Sequence, residues 1–143
     1  MEKDVLLCVG QKAFIEKDGK VLIIRDPIEG IDFPGGKIKE GEAKEGDVGS
    51  LINSLKREAK EETGLEIEVL NPFAVWYHEF PKNHRNYPKV VYLVGFKCKY
   101  VSGELKLSDE HDAFEWVDEN SYEKWNDGSD YFGALKKYFE SEK

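Results

Sequence analysis

Three glutamates, Glu58, Glu61 and Glu62, stand inside the stretch Lys56 to Leu65, KREAKEETGL. Read as helix, they occupy i, i+3 and i+4 and project from one face. Leu51 and Leu55 precede Glu62 on the same stripe, so the carboxylates continue a line that packs inward earlier in the helix. They also crowd the turns just before Gly64, where the helix dipole disfavours negative charge. Like-charge pairs at these spacings each cost roughly 0.2–0.5 kcal/mol, and Lys56 and Lys60 point to the other side. A hard cation filling the cluster removes that cost. Oxygen ligands with room for water and phosphate suit Mg2+, with Mn2+ as the alternative. The bland alternative is a solvated, Glu/Lys-rich helix face.

The approach to the helix weighs against the bland reading. Phe33 to Glu42, FPGGKIKEGE, sets Gly35 and Gly36 after an apolar strand, where adjacent glycines permit close backbone approach to a ligand. Together the segments give Gly36-x5-Glu42, then Arg57-Glu58-Ala59-x-Glu61-Glu62-x-Gly64-Leu65. This pattern resembles the signature of the Nudix (MutT-like) hydrolases, and its second half matches throughout. One departure is plain: fourteen residues separate Glu42 from Arg57, where the family pattern has seven. The surplus, about Ala43 to Gly49, holds two glycines and two acids and reads as a loop, after which Ser50 is the expected N-cap of a helix opening at Leu51. The longer spacing leaves the place of Glu42 relative to the helix unfixed.

The resemblance implies roles residue by residue. Glu58, Glu61 and Glu62 would bind metal, with the backbone carbonyl of Gly35 as a further ligand. Arg57 would hold a neighbouring carboxylate in place, while Gly36 and Lys37 would meet substrate phosphate. A second segment, Ser108 to Trp116 (SDEHDAFEW), resembles the run before the last strand in many Nudix proteins, where a glutamate, here Glu110, serves as metal ligand or general base. Glu58 would be ligand, base or both. A rigid place beside Arg57 predicts a low pKa and a ligand role for it, whereas Glu110, set among Asp109 and Asp112, is suited to accept a proton. His111 reads as structural.

Substrate recognition needs stacking surfaces and cations. Phe33, Trp76, Tyr77, Phe80 and Trp116 are the aromatic candidates, and Arg25, Lys82, His84, Arg85 and Lys89 form a basic set able to meet terminal phosphates. Of these, Arg25 and Phe33 join Gly36 and Lys37 as the expected substrate-binding residues.

These side chains need a scaffold. Val5 to Phe14 and Lys20 to Arg25 are β-prone runs around Asp18-Gly19, a hairpin pattern, and Ile31 to Pro34 is a short strand feeding the glycines. The helix runs from about Leu51 to Thr63, stopped by Gly64. Leu65 to Leu70 and Phe73 to Phe80 read as strands broken at Asn71-Pro72, followed by a polar loop, Pro81 to Pro88, at the rim of the site. Lys89 to Tyr100 and Ala113 to Val117 are further strands. Ser121 to Trp125 reads as one helical turn, and Tyr131 to Glu140 as an amphipathic helix carrying Phe132, Leu135 and Phe139. Strands interleaved with an internal and a terminal helix give an α/β fold, a mixed sheet with helices on its faces. The resemblance narrows this to the Nudix α/β/α sandwich.

At 143 residues the chain, 1–143, is expected to form one domain. With 40% hydrophobic residues its composition is globular, and its net charge of −8 argues against a nucleic-acid polymer or an anionic membrane as partner. The same charge means that a phosphate-bearing substrate must arrive with its metal. Cys8 and Cys98 lie in apolar runs and read as reduced core thiols. With no secretory segment and no run of eighteen apolar residues, the chain reads as cytoplasmic, a monomer or homodimer.

The resemblance implies a Mg2+-dependent pyrophosphohydrolase cleaving a nucleoside diphosphate linked to another group. The short chain is most similar to members that take (deoxy)nucleoside triphosphates, including oxidised ones, to monophosphate and pyrophosphate. Pro81, sixteen residues past Leu65, is shared with ADP-ribose pyrophosphatases of the family, so ADP-ribose or a nucleotide sugar is the alternative substrate. The rival from another class is a non-catalytic nucleotide sensor on the same fold. Such proteins typically lose a motif glutamate, and here all three are present.

Overall fold

A computed structural model describes residues 2–141. Its elements run β1 (Cys8–Lys17), β2 (Lys20–Asp26), β3 (Gly30–Asp32), β4 (Gly35–Lys37), α1 (Ser50–Thr63), β5 (Glu66–Glu79), β6 (Val90–Ser102), β7 (Ala113–Val117), a 3-10 turn (Tyr122–Trp125) and α2 (Asp130–Ser141). The strands form one mixed sheet. Its spine is β1, paired in parallel with β6 from Cys8–Val91 to Glu16–Lys99. On its other side β1 meets β4 at Gly10 to Lys12 and β2 at its hairpin end. β7 lies along β2, and β5 lies antiparallel to β6 at the far edge.

β1 and β2 are apolar on both faces because both faces are covered. Ala13, Ile15, Leu22 and Ile24 pack with Leu55 and Ala59 of α1, while Phe14, Val21 and Ile23 pack with Phe132, Leu135 and Phe139 of α2. Strand alternation thus sends successive residues to opposite helices, which gives the expected α/β/α sandwich. The hairpin turn is also as expected: Asp18 and Gly19 both have positive φ, 53° and 79°, the twist that tight hairpins require. Gly64 ends α1 in the left-handed region, its N–H donating to the Lys60 carbonyl.

Two local expectations are overturned. Ser50 does not cap α1. The helix begins at Ser50 with Gly49 at the N-cap and no side-chain cap, and the Ser50 hydroxyl instead accepts the Lys44 N–H (3.1 Å), closing the exposed loop before the helix. Nor do Asn71 and Pro72 break the fifth strand. β5 is continuous, absorbing the proline with register shifts between Val69 and Asn71 and between Pro72 and Ala74. An edge strand has one side with no ladder to donate to, so a residue without an N–H is tolerated there. Cys8 and Cys98 are both free thiols, and burial pushes the Cys98 pKa up to about 12.

Candidate active site

The β3–β4 connection, α1 and two loops enclose a cleft of about 400 Å³. One wall is built on backbone. Gly35 lies against β1 so closely, at φ 138°, that a Cβ would meet the Gln11 carbonyl oxygen at 2.0 Å. A Cβ on Gly36 would stand 3.1 Å from Glu58 Oε2, so the absence of side chains lets the strand and the helix carboxylates converge. Gly35 N–H donates to Glu62 Oε2 (3.1 Å). Glu62 is 8% exposed, as its place on the apolar stripe required. Burial first, then the nearby Asp32 charge, pushes its pKa up to about 7 against the pull of Lys12.

Arg57 gathers the other acids of the motif. Its Nη1 donates to Glu61 (2.7 Å), and its Nη2 reaches Glu42 and stands 3.3 Å from Glu58. Glu42 therefore keeps its partner despite the inserted residues. Two expectations change here. Glu58 was expected to be strongly acidic beside Arg57. Instead its pKa is raised, because burial and the charges of Glu61 and Glu42 outweigh the single guanidinium. Glu61 is held on Arg57, with its side chain 56% exposed, and does not line the cleft as Glu58 and Glu62 do.

A second wall comes from Phe80, His84, Arg85 and Asn86 and from Glu110 and His111. Asp26, 3% exposed, accepts N–H groups from Ile28 and Glu29 and stands 3.2 Å from both His84 Nε2 and Arg85 Nη1. His84 Nδ1 accepts the Asn86 N–H (3.0 Å), so the ring proton sits on Nε2 and is given to Asp26. Asn86 Oδ1 accepts from Lys37 Nζ (2.8 Å), joining this wall to the glycine strand. Lys37 is half-buried, and burial first, then neighbouring lysines, pull its pKa down to about 8.

The floor holds charges that sequence reading did not single out. Lys12, 8% exposed, pairs with Asp32 (3.1 Å), which in turn accepts His111 Nε2–H (2.9 Å). Burial opposes charge on both Lys12 and Asp32, yet each stabilises the other: the Lys12 pKa is raised, and the Asp32 carboxyl is held at about 2. His111, expected to be structural, ties the Glu110 loop to this pair. Tyr131 of α2 and Glu29 also line the cleft. The clue available in the sequence was a lysine in the middle of an otherwise apolar strand.

Other expected site residues fall elsewhere. Phe33 is not a substrate platform: it is fully buried and stacked on Phe14 at 3.9 Å. Arg25 is spent on Asp112 through two 2.8 Å hydrogen bonds and does not line the cleft, which also removes Asp112 from the acids facing Glu110. Trp76 lies in the core under α2, Trp116 packs on the α1 side, and Tyr77 is 46% exposed. Of the five aromatic candidates Phe80 lines the cleft, stacked on His84 at 4.6 Å. Of the basic set, His84 and Arg85 do, whereas Lys82 and Lys89 do not. Among the described residues no three His, Cys, Asp or Glu side chains close up as a ready metal shell, and no helix is long and apolar enough to cross a membrane.

Residues 9–137 match the family model for the NUDIX domain. Among solved structures, the chain is similar to the MutT protein from Methanosarcina mazei Go1, with 24% identity over 99% of this chain and 98% of that one and a TM-score of 0.73. It is also similar to the MutT NUDIX hydrolase from Burkholderia pseudomallei, with 27% identity, 79% and 84% coverage and a TM-score of 0.60. An ADP-ribose pyrophosphatase from Streptococcus suis 89-1591 shares 23% identity over 78% and 74%, with a TM-score of 0.56. None of the curated proteins compared matches.

Proposed function

The chain belongs to the Nudix family of hydrolases acting on pyrophosphate bonds, and from that premise we propose that it is a Mg2+-dependent pyrophosphohydrolase converting a (deoxy)nucleoside triphosphate, or an oxidised one, to monophosphate and pyrophosphate. The observation that carries the reading is the convergence of Glu58 and Glu62 on the Gly35–Gly36 backbone, in a cleft of nucleotide size that also holds Lys37 and Arg85. The Methanosarcina MutT protein shares the fold along nearly its whole length; the choice of a triphosphate over other diphosphates rests on the resemblance of the sequence to triphosphate-cleaving members of the family.

The donor set fits a hard divalent ion. Glu58 and Glu62 both carry raised pKa values, so their ionised forms are costly until a cation shares them. Glu58, Glu62 and the Gly35 carbonyl would hold the ion, a small set that suits one keeping several of its waters. Glu61 would join only by leaving Arg57. When bound, the metal neutralises charge building on the phosphates and the leaving group.

The protein's own part is to place charge and move one proton. Arg57 restrains Glu58 and Glu61, and the Gly35 N–H restrains Glu62. Glu110, in the lining beside Arg85, takes the proton of the attacking water. Acidity does not divide the two glutamates, since burial and the charges of Glu61 and Glu42 raise the Glu58 pKa instead of lowering it. Place divides them: Glu58 converges on the Gly36 backbone, and Glu110 stands beside Arg85. Pro81, opening the loop of the second wall, is the feature that favours ADP-ribose or a nucleotide sugar as a second reading.

The experiment is a screen of nucleoside triphosphates, oxidised triphosphates, ADP-ribose, nucleotide sugars and dinucleoside polyphosphates with Mg2+, following phosphate and pyrophosphate. Pyrophosphate released from a triphosphate at the highest kcat/KM is the expected result. Preferred cleavage of ADP-ribose, with triphosphates inert, refutes it.

A further inference from the structure

Arg85 is a cation with unspent donors, half-fixed at the mouth of the cleft. Its Nη1 donates to Asp26 (3.2 Å), a buried carboxylate itself fixed by two backbone amides and by His84. One end of the guanidinium is therefore anchored to the body of the protein. The other end is loose: Nη2 stands 3.8 Å from Glu110 Oε2, outside hydrogen-bond range, and the two side chains are 46% and 56% exposed. A guanidinium presents five N–H donors in a planar fork that matches phosphate oxygens two at a time. The segment that carries it is already in place, because Asn86 is bound to His84 on one side and to Lys37 on the other. Substrate need not order the loop before meeting the fork.

We infer that Arg85 grips the phosphate chain of the substrate, exchanging its loose partner Glu110 for non-bridging phosphate oxygens while keeping Asp26. The direction of exchange follows from the strengths involved. An ion pair between half-exposed groups beyond bonding distance is weak, whereas paired, charged hydrogen bonds to phosphate are short and about twice as strong as neutral ones. The exchange strips Glu110 of its counter-ion only when the cleft is filled, so the proton acceptor is released by the arrival of the molecule it serves. This rests on the reading of the cleft as a site for diphosphate hydrolysis.

The test measures binding of methylene bisphosphonate, a pyrophosphate analogue whose bridge is not hydrolysed, to the full chain by calorimetry in excess Mg2+, so that the anion arrives with its metal and no turnover intervenes. Arg85→Ala should weaken binding about 10- to 100-fold, the size of a lost charged hydrogen-bond pair. Arg85→Lys should recover only part of it, since a point charge lacks the fork. It also guards against a folding defect in the alanine variant, although Asp26 keeps its other partners there. Glu110→Gln should tighten binding several-fold, and that gain should shrink in the Arg85→Ala background. Unchanged binding by Arg85→Ala, full recovery by lysine, an equal Glu110→Gln gain in both backgrounds, or no measurable binding by wild type and Glu110→Gln alike would each overturn the inference. A chain that shows the expected coupling but hydrolyses no nucleoside triphosphate refutes the proposed function and leaves Arg85 as a phosphate-binding residue. The reverse pattern refutes Arg85 alone.

Discussion

The two walls of the cleft are built by different means. The glycine–helix wall is held by backbone: Gly35 pressed on β1, Gly35 N–H on Glu62, and α1 seated through Leu55 and Ala59. The loop wall is held by buried and half-buried side chains reaching across the fold, His84 to Asp26 over 58 residues, Lys37 to Asn86 over 49 and His111 to Asp32 over 79. The first wall fixes carboxylates where their charge is costly, the set proposed above to hold the metal. The second carries the groups, Arg85 and Glu110, that remain half exposed and able to change partners. Under that proposal, holding an ion rigidly and a substrate adaptably are tasks given to separate walls.

That division can be broken from either side. The largest effect expected is from Glu62→Gln, which should lower kcat by orders of magnitude in a folded protein, with Glu61→Gln costing less because Glu61 rests on Arg57 outside the cleft. Equal losses, measured under saturating substrate and Mg2+, would put both glutamates on the metal alike.

Asp32→Ala attacks the floor beneath both walls. It strands the Lys12 ammonium and frees His111, and should cost about 3–5 kcal/mol in urea unfolding, much of it restored by adding Lys12→Met. In the native protein the Asp32 pKa, about 2, lies below the ordinary 3.8. Its contribution, about 2 kcal/mol, is therefore complete above pH 4 and lost as pH falls through 2. A flat stability profile between pH 5 and 2 would deny the pairing.

His84→Ala should slacken the loop wall alone, raising KM roughly tenfold with kcat nearly unchanged, the worth of about one buried hydrogen bond. A fall in kcat without a change in KM would place the loop in the chemistry instead. Removing 43–49 should do least. These residues are exposed, and shortening a loop shifts closure entropy by well under about 1 kcal/mol; kinetics like those of the wild type are expected, and a collapse of kcat would show that the insertion shapes the site.

The difference between the walls also explains what was legible in the sequence. Glu58, Glu62 and the two glycines lie within one motif, and the burial of Glu62 followed from its place on the Leu51–Leu55 stripe. The hairpin, the helix stop at Gly64 and the apolar face of α2 rest on local patterns and were equally readable. The Lys12–Asp32–His111 chain was not, since only the register of β1 against the β3–β4 strap brings its members together. Phe33 was misread because an aromatic beside glycines looks the same in sequence whether it faces ligand or core. Glu58 was misread because the helix spacing shows Arg57 beside it but not the burial, nor Glu42 arriving from the loop.

The central claim is that Glu62 is held ionised at a cost so that a metal can use it. With a folded pKa of about 7 against 4.5 unfolded, its charge costs nothing below pH 4.5, a growing amount between 4.5 and 7, and about 3 kcal/mol above. The direct measurement is the melting temperature of wild type and Glu62→Gln at pH 8, first in EDTA and then titrated with Mg2+. Glu62→Gln should melt higher than wild type in EDTA and stay there, while Mg2+ raises the wild type toward it. A variant that melts lower than wild type in EDTA, or that gains as much from Mg2+, contradicts the claim.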